Sequence, residues 1–434
     1  MDKMADVLGR AGAWCGQNKY LSAIKNAFQN FMPLTIAGAI GVLWCNVLVN
    51  ESTGLGIFFK PIMALDFLNP AFQAVNFCTI SCITVGITLG IAQEIGVWNM
   101  GAERAGYIPG LVGLAAWLSV TNTSHMVEGA KEAFTGIAGN ELGATGLFTG
   151  MIIGVLSVEL FCFFEKQDAL KIKMPEQVPP GVARAFEVLV PATITLIITA
   201  CIGSACYNLT GLYLNDVIKN GIQGPLGAVG ATIPGVMIIY LVIMLFWLVG
   251  IHGNNMLSAV KEALFTPLAL ENVEKFNKGE KPTNIINMYA LQMWGEFGGS
   301  GVTIGLVIAI MIFGKREDNK AIATLSLVPG LFNINETVTF GVPMVLNPIL
   351  GIPFVVAPLI TIIIGYVLTV IGFCPVACLT VPWTTPPIVF GFLATGANVM
   401  GAVTQAILIV VSTVIYVPFL IAYEKYQNKQ AAEA

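Results

Sequence analysis

Charged residues are scarce in this sequence. Only 11% of the 434 residues are Asp, Glu, Lys or Arg, whereas an ordinary soluble domain carries roughly 25%. This composition excludes a water-soluble globular protein of the usual kind, and the 56% of hydrophobic residues point to lipid as the solvent. Apolar runs of about 18 or more residues recur along the chain, and each can cross a hydrocarbon core about 30 Å thick. The sequence therefore predicts a polytopic membrane protein.

Histidine is rarer still, with two residues in the chain, so a histidine-rich metal site is not expected. Nine cysteines are present, but they form no CxxC pair and lie mostly in or beside apolar runs, where cysteine packs as a small hydrophobe. No Ser/His/Asp spacing, zincin motif or paired-carboxylate pattern stands out. The formal net charge of -4 gives no reason to expect nucleic acid as a partner. We predict neither a metal nor a cofactor.

The first part of the chain reads as a series of regular spans, roughly 28–50, 73–96, 106–122, 143–164, 186–209 and 228–250. Lys and Arg cluster at 3–25, 166–184, 261–281, 315–320 and 425–429. The positive-inside rule places these clusters, and with them both termini, in the cytoplasm, and it puts His125 on the outer side. The cluster KREDNK (315–320) breaks the alternation if 297–314 is a simple span. Either that segment crosses only partway, or something between 251 and 296 re-enters the membrane.

A short internal repeat bears on the domain organisation. AFQNFMPLTI (27–36) and AFEVLVPATI (185–194) share the pattern A-F-x4-P-x-T-I. They are either two similar helix starts on the cytoplasmic side or the beginnings of two bundles. We predict an N-terminal half over 1–165 that continues after a cytoplasmic linker (166–183) to about 226, and a C-terminal half over 227–434.

Polar and turn-forming residues interrupt the second half at HGNNM (252–256), FGGSGVT (297–303), PGLFNINETVTFGVP (329–343) and TVPWTTPP (380–387). Backbone groups without hydrogen bonds cannot face lipid, so broken helices at membrane depth must be buried in protein or line a wet cavity. The second half is therefore where a polar ligand is expected.

Glu336 lies among apolar residues in LFNINETVTFG. An ionisable group inside the membrane costs about 2.5 to 3.5 kcal/mol even on the gentlest scale, and such groups are functional by default. The alternative is a carboxylate at a loop tip that reaches water and merely caps a helix. Prolines and glycines on both sides favour a hairpin that enters and leaves on one side, with Asn333, Asn335 and Glu336 near its tip.

His252 ends a long apolar run and is followed closely by Asn254 and Asn255. A lone histidine at a helix end is more often a capping or core residue. Together with Trp247, however, these residues offer an aromatic face and several hydrogen-bonding groups, which is the combination that binds a sugar ring. Trp383 offers either a second aromatic face or a tryptophan of the interfacial belt. One imidazole, one intramembrane carboxylate and several amides are typical of a transporter.

Four segments carry a resemblance to a known family: WLVGIHGNN (247–255), KMPEQVPPGVARAFEVLVP (173–191), FNINETVTFGVPMVLNPILGIPF (332–354) and VPWTTPPIVFGFLATGA (381–397). Together they resemble the membrane-embedded IIC component of bacterial phosphotransferase systems, in its lactose, cellobiose and diacetylchitobiose class. The resemblance covers essentially the whole chain.

This resemblance implies an all-α fold of about ten transmembrane helices plus two re-entrant hairpins, in the bacterial cell membrane. It implies a homodimer formed by the N-terminal half, and a C-terminal half that holds the sugar and moves like an elevator. Re-entrant hairpins do not change sidedness, so they also resolve the conflict at KREDNK.

By the same resemblance, His252 and Glu336 bind a disaccharide near its phosphorylated 6-hydroxyl. Trp247 and Trp383 are its aromatic contacts, and the list of further binding residues is Asn254, Asn255 and Asn335. The phosphoryl group is expected from a phosphocysteine on a separate IIB protein, itself supplied by IIA, since the nine cysteines lie in the membrane part or the N-terminal stretch and no soluble domain follows Asn428. The chain would thus be the transporter subunit of a phosphotransferase complex, and the sequence leaves open whether it is an enzyme by itself.

Two departures from the family pattern stand out. Thr337 follows NINE where proline is frequent, which bears on the hairpin geometry, and Glu296-Phe297 precedes GGSG where Asn-Leu is common. Glu296 is thus an acidic group near the site without an assigned role. Two other functions fit the residues: a proton-coupled secondary sugar transporter of similar architecture, and an intramembrane enzyme acting on a lipid.

Overall fold

A computed structural model of the chain describes residues 10, 13, 14, 17–51, 56, 59–125, 134–175 and 177–433. Within these residues the regular structure is almost entirely helical, and the strands are a short antiparallel pair, β1 (Ser124–His125) and β2 (Phe134–Thr135). The all-α prediction is confirmed.

The helices of the first half are α1 (Lys19–Leu43), α2 (Asn69–Asn76), α3 (Ile83–Met100), α4 (Ala102–Ala105), α5 (Ile108–Val120), α6 (Gly139–Leu142), α7 (Ala144–Glu165), α8 (Pro180–Thr210), α9 (Leu214–Ile218) and α10 (Gly224–Gly230). Tighter 3-10 turns occupy Lys60–Leu68 and Asp168–Leu170, and wider π turns occupy Trp44–Leu48, Phe77–Ser81 and Lys219–Gln223.

The helices of the second half are α11 (Ile233–Leu248), α12 (Gly253–Met256), α13 (Ser258–Asn277), α14 (Met288–Gly295), α15 (Ile304–Phe313), α16 (Glu317–Leu331), α17 (Glu336–Gly341), α18 (Gly351–Val370), α19 (Val389–Ala394) and α20 (Val399–Glu433). At 1.5 Å per residue, α14 and α15 are only about 12 and 15 Å long. Each therefore covers at most about half of the hydrocarbon core.

Five helices of the described part are long and apolar enough to cross a membrane, namely Lys19–Leu48, Ala144–Glu165, Pro180–Thr210, Gly351–Val370 and Val399–Glu433. A bent pair, Lys60–Ser81 with Ile83–Met100, would make a sixth span, and α5, α11 and α15 are shorter apolar helices. These helices agree with a multi-pass membrane protein. The count of ten spans stays a prediction.

Most of the predicted spans coincide with single helices. In an uninterrupted apolar run within lipid, the backbone N–H and C=O groups can form hydrogen bonds only with each other, and a helix achieves this. The predicted span 73–96 is the exception, since the chain bends there by 41° between Ser81 and Ile83. The bend follows the π turn Phe77–Ser81. A π turn inserts an extra residue into the hydrogen-bond ladder and so interrupts an otherwise continuous helix.

The chain divides into two compact units. The amino-terminal unit comprises Gln17–Ala37 and Phe77–Gly227, and the carboxy-terminal unit includes Gly38–Asn76 and Ala228–Ala434. The segment Gly38–Asn76, which the sequence assigns to the N-terminal half, thus belongs to the carboxy-terminal unit. The roles expected of the two halves stay predictions.

In the amino-terminal unit, α3, α5 and α7 pack against one another. Small residues permit the close approach: a Cβ on Gly113 would lie 2.3 Å from Cβ of Ala92, and one on Gly150 would lie 2.2 Å from Oγ1 of Thr88. Helices that associate in lipid use such small residues at their contacts.

The carboxy-terminal unit has one large core, whose largest buried side chains include Tyr240, Trp294 and Phe354. Some residues of the interrupted segments, among them Val302 and Val342, belong to this core. The non-helical backbone at these residues is packed in protein, as a structure at membrane depth requires.

Candidate functional site

The four interrupted segments of the second half meet around one cavity in the carboxy-terminal unit. Its volume is about 500 Å³, within the range of roughly 300–1,000 Å³ usual for small-molecule pockets. The lining residues are His252, Asn254, Asn255, Gln292, Glu296, Phe297, Gly299, Ser300, Asn333, Ile334, Asn335, Glu336, Trp383, Phe390 and Gln405. Six of the seven predicted site residues are among them.

His252 and Glu336 face each other at the cavity wall, with His252 Nε2 3.7 Å from Glu336 Oε1. The two side chains are 36% and 47% exposed. The distance exceeds that of a direct hydrogen bond. The two groups can therefore both bond to one polar atom of a ligand placed beside them.

The other imidazole nitrogen, Nδ1, accepts a hydrogen bond of 3.2 Å from the backbone N–H of Asn255. His252 is thus the N-cap of α12. Because Nδ1 acts as an acceptor, a neutral His252 carries its hydrogen on Nε2, the nitrogen that faces Glu336. The capping role is present, and it leaves Nε2 facing the cavity, where the predicted functional role would need it.

Glu336 is the first residue of α17. The helix forms with Thr337 in second position, so the missing proline of the family pattern does not prevent the turn. A carboxylate at a helix N-terminus is favoured by the exposed backbone N–H groups. The start of α17 therefore places the Glu336 side chain at the cavity.

Trp247 does not line the cavity, although the sequence predicts it as an aromatic contact. Its side chain is 2% exposed and lies against the imidazole of His252, with ring centroids 4.4 Å apart. The ring of Phe354 packs edge-on against Trp247, with ring centroids 6.3 Å apart. Because α11 ends at Leu248, the helix directs Trp247 into the core behind His252. Trp247 supports the imidazole from behind.

Trp383 does face the cavity and is 44% exposed. Its backbone carbonyl accepts a hydrogen bond of 2.5 Å from Asn333 Nδ2, which also donates to the Thr385 carbonyl at 3.2 Å. Asn333 Oδ1 in turn accepts from the backbone N–H of Gly298 at 2.6 Å. Asn333 therefore joins three of the four interrupted segments.

Asn254 and Asn335 line the cavity, but their amides bond to the protein. Asn335 is 3% exposed and donates to the Ser300 carbonyl at 2.8 Å. Asn254 donates to Ser300 Oγ at 2.9 Å and accepts from Lys261 Nζ at 3.3 Å. Both side chains hold the turn that contains Ser300 in place.

This turn leaves no room for side chains on its glycines. Gly299 has φ of 88°, and a Cβ there would lie 2.7 Å from Cβ of Asn335. Only glycine fits such a conformation and such a close approach. The GGSG segment thus serves close packing at the cavity.

Lys261 is the main residue that the sequence does not reveal. Counted there with the cytoplasmic cluster 261–281, it is instead 5% exposed and pairs with Oε1 of Glu296. The hydroxyl of Tyr240 donates to the same oxygen at 2.7 Å. A lysine just after the break at His252, on a helix with an apolar buried face, is the signal that could have found it.

The sequence does not single out Gln405 either. Its Oε1 accepts from the backbone N–H groups of Ile388 and Gly391 at 2.7 and 2.8 Å, and its Nε2 donates to the Met293 carbonyl at 3.2 Å. A lone glutamine within the apolar run of α20 gave the only sequence signal. Within the described ranges, no cluster of three or more His, Cys, Asp or Glu could hold a metal ion.

Apolar spanning helices around a solute-sized, hydrogen-bonding cavity define a membrane transporter. The family model of the phosphotransferase system EIIC matches residues 25–358. The chain therefore belongs to this family and is a permease component of a sugar phosphotransferase system. The family predicted from the four motifs is confirmed.

Similar proteins cover almost the full length. The oligo-β-mannoside-specific EIIC component of Bacillus subtilis is 33% identical over 98% of this chain and 94% of its own. The cellobiose-specific EIIC component of Lactococcus lactis is 30% identical over 98% of both chains. The crystal structure of the transporter ChbC, the IIC component of the N,N'-diacetylchitobiose-specific phosphotransferase system, superimposes with a TM-score of 0.88 at 29% identity over 97% of both chains.

Proposed function

We propose that this IIC component binds a β-linked disaccharide in the cavity and presents its 6-hydroxyl to the phosphocysteine of a separate IIB protein. One observation supports the proposal most directly. His252 and Glu336 face each other at the cavity wall, with Nε2 of the histidine 3.7 Å from Oε1 of the glutamate. One hydroxyl beside them can accept a hydrogen bond from His252 Nε2 while it donates one to Glu336. The exposed indole of Trp383 offers an apolar face to the sugar ring.

The residues support the following chemistry. The sugar oxygen attacks the phosphorus of the phosphocysteine, so that a P–O bond forms as the P–S bond breaks and the cysteine leaves as a thiolate. The hydroxyl proton passes to the carboxylate of Glu336, which acts as general base and later releases it to water. His252 holds the attacking oxygen in place, and this positioning is a large part of catalysis in phosphoryl transfer.

The choice of sugar class rests on the relatives. Those described above are named for oligo-β-mannoside, cellobiose and N,N'-diacetylchitobiose, and all of these sugars have β-linked pyranose rings. A cavity of about 500 Å³ suits a ligand of that size.

The proposal includes an architecture. A homodimer lies in the cell membrane with both termini and the linker 166–183 in the cytoplasm. Residues 1–165 and the chain up to about 226 form the dimer contact, whereas 227–434, with two re-entrant hairpins, carry the sugar across like an elevator. The Lys and Arg clusters support this sidedness, and the short helices α14 and α15 support re-entrant segments.

Proteoliposomes containing the purified chain test the proposed function. We expect sugar phosphate to form only when phosphorylated IIB is present on the cytoplasmic side. Accumulation of unmodified sugar driven by a proton gradient would instead identify a secondary transporter. Conversion of a lipid without sugar transport would identify an intramembrane enzyme.

A further inference from the structure

One wall of the cavity is not used by the chemistry at His252 and Glu336. It consists of Gln292 and Glu296, which both line the cavity. The two residues are four positions apart, and the backbone N–H of Glu296 donates to the Gln292 carbonyl at 3.3 Å. Their side chains therefore project from the same face at the end of α14.

Both side chains present hydrogen-bond acceptors to this wall. Tyr240 and Lys261 both bond to Oε1 of Glu296. Oε2 accepts no hydrogen bond from the part of the chain that the structure describes, and the side chain is 16% exposed. Oε1 of Gln292 is buried and has no donor among the described residues either. A buried acceptor without a donor is costly, so Gln292 Oε1, together with the second carboxylate oxygen of Glu296, suits this wall to a ligand with donors.

The ion pair determines which kind of donor fits. Lys261 neutralises Glu296, so this wall carries no net charge and does not favour a cationic ligand. Tyr240 is fully buried, and Lys261 is also bonded to Asn254. The carboxylate is therefore held rigidly. A buried ion pair contributes little net stability compared with apolar residues of the same size. Stability alone therefore does not account for the presence of Lys261 and Glu296 at this wall.

We infer that Glu296 and Gln292 form a second sugar subsite, which selects disaccharides whose non-phosphorylated ring carries a hydroxyl in place of an acetamido group. Lys261 and Tyr240 are the positioning residues of this subsite. The inference rests on the proposed function and adds the substrate class to it. The selected sugars are unsubstituted glucosides or mannosides, in preference to N-acetylated ones.

The selection is steric. A free hydroxyl can donate a hydrogen bond to Oε2 of Glu296 or to Oε1 of Gln292, and it needs no additional space beside the wall. An acetamido group replaces that hydroxyl with a planar group that adds a methyl and a carbonyl oxygen. Its N–H can donate to the same acceptors, so the added volume is what the wall discriminates against. The rigidly held carboxylate cannot move aside for it.

The test is a binding titration of the purified full-length protein in lipid nanodiscs with cellobiose, β-mannobiose and diacetylchitobiose. Phosphorylation of each bound sugar by phosphorylated IIB is measured in parallel. We expect cellobiose or β-mannobiose to bind at least about 10-fold more tightly than diacetylchitobiose, the size of one hydrogen bond to a charged group. Tightest binding of diacetylchitobiose would overturn the inference and leave the proposed function intact. Failure of all three sugars to bind or be phosphorylated would instead remove the proposed function.

Two variants localise the effect. The double variant Lys261→Met with Glu296→Leu removes both charges together, and Gln292→Met keeps the ion pair intact in case the double variant does not fold. Each is expected to weaken binding of the preferred sugar by about 10-fold or more. Binding of diacetylchitobiose should change by less than about 2-fold, because Met and Leu keep the volume of the wall and so still exclude the acetamido group.

Glu262→Gln is the matched control, since Glu262 is adjacent to Lys261, bonds to Thr266 and does not line the cavity. It should leave the preference among the three sugars unchanged. If the variants weaken all three sugars equally, the ion pair has only a structural role and the subsite does not exist.

Discussion

The two ring nitrogens of His252 have different tasks: one caps a helix, and the other faces the carboxylate at the cavity wall. Nδ1 accepts the N–H of Asn255 and so fixes the start of α12, while Nε2 faces Glu336 at 3.7 Å. Trp247 packs on the ring from behind. The imidazole is therefore held in one tautomer and one orientation before any ligand binds.

Replacing Glu336 with glutamine tests the carboxylate. Glu336→Gln keeps the shape of the side chain but removes the base, so we expect sugar phosphorylation to fall by about 10²- to 10⁴-fold. The side chain is 47% exposed, so the thermal midpoint should hardly change. The rate is measured with phosphorylated IIB and radiolabelled disaccharide in proteoliposomes.

Glu317→Gln is the control for this variant, because Glu317 also begins a helix but is 87% exposed. It should retain the wild-type rate. Near-normal phosphorylation by Glu336→Gln would show that the carboxylate is not the base.

The histidine is tested by a variant that keeps its capping role. In His252→Asn the amide oxygen can still accept the N–H of Asn255, since asparagine is among the best N-cap residues. The donor facing Glu336 is lost, and we expect a rate lower by about 10²-fold, as for other donors that hold a reacting oxygen.

His252→Ala loses both roles and should in addition lower stability by about 1 kcal/mol. The comparison is made by thermal unfolding and phosphorylation assays on the same preparations. Equal rates for wild type and His252→Asn would reduce the imidazole to a helix cap.

At the scale of elements, the site depends on how three turns are tied together. Asn333 has φ of 63°, a left-handed conformation that asparagine and glycine tolerate. Its amide bonds to Gly298, Trp383 and Thr385, which belong to two other interrupted segments. The position of the Trp383 indole therefore depends on a side chain from another turn.

Asn333→Gly separates the backbone conformation from these bonds. Glycine adopts the same φ but loses all three hydrogen bonds, each worth about 0.5–1.5 kcal/mol net. We expect a lower thermal midpoint and weaker sugar binding, measured by unfolding monitored through tryptophan fluorescence and by titration. Asn333→Asp keeps the acceptor for Gly298 and should fall between wild type and Asn333→Gly. Wild-type affinity in the glycine variant would show that Trp383 is held by other contacts.

The sequence predicts an element well where only one backbone conformation satisfies all the backbone hydrogen bonds. The spans 143–164 and 186–209 correspond to α7 and α8 because a continuous apolar run in lipid must be helical. The interruptions around Gly299 and Asn333 were also visible as glycine, proline and asparagine. How these turns meet could not be predicted, since it depends on packing between residues distant in the chain.

The same limit applies to the site. His252 and Glu336 could be singled out because a polar group in an apolar run needs a reason. Lys261 is harder to single out, because its position just after the break at His252 is a weak signal and a lysine near other lysines fits a cytoplasmic cluster equally well. Only the fold brings it to Glu296. The sequence predicts Trp247 as a cavity contact, whereas the structure places its side chain in the core behind the imidazole. Periodicity does not distinguish the cavity from that core.

For the whole molecule, the distribution of charge predicts how the chain crosses the membrane. Lys278 is exposed and lies at the end of α13, and Lys429 lies near the end of α20. Both belong to clusters that the positive-inside rule places in the cytoplasm. Ser124 is exposed in β1, next to His125 on the predicted outer side.

Single cysteines at these positions, in a variant whose nine native cysteines are replaced, report the sidedness directly. Lys278→Cys and Lys429→Cys should react with a membrane-impermeant maleimide in inside-out vesicles and not in intact cells. Ser124→Cys should show the reverse, because an odd number of crossings must separate it from the cytoplasmic clusters. Labelling of Lys429→Cys in intact cells would place the C-terminus outside. The cytoplasmic position proposed for the termini would then be wrong, and the assignment of the re-entrant segments between 251 and 320 would have to change with it.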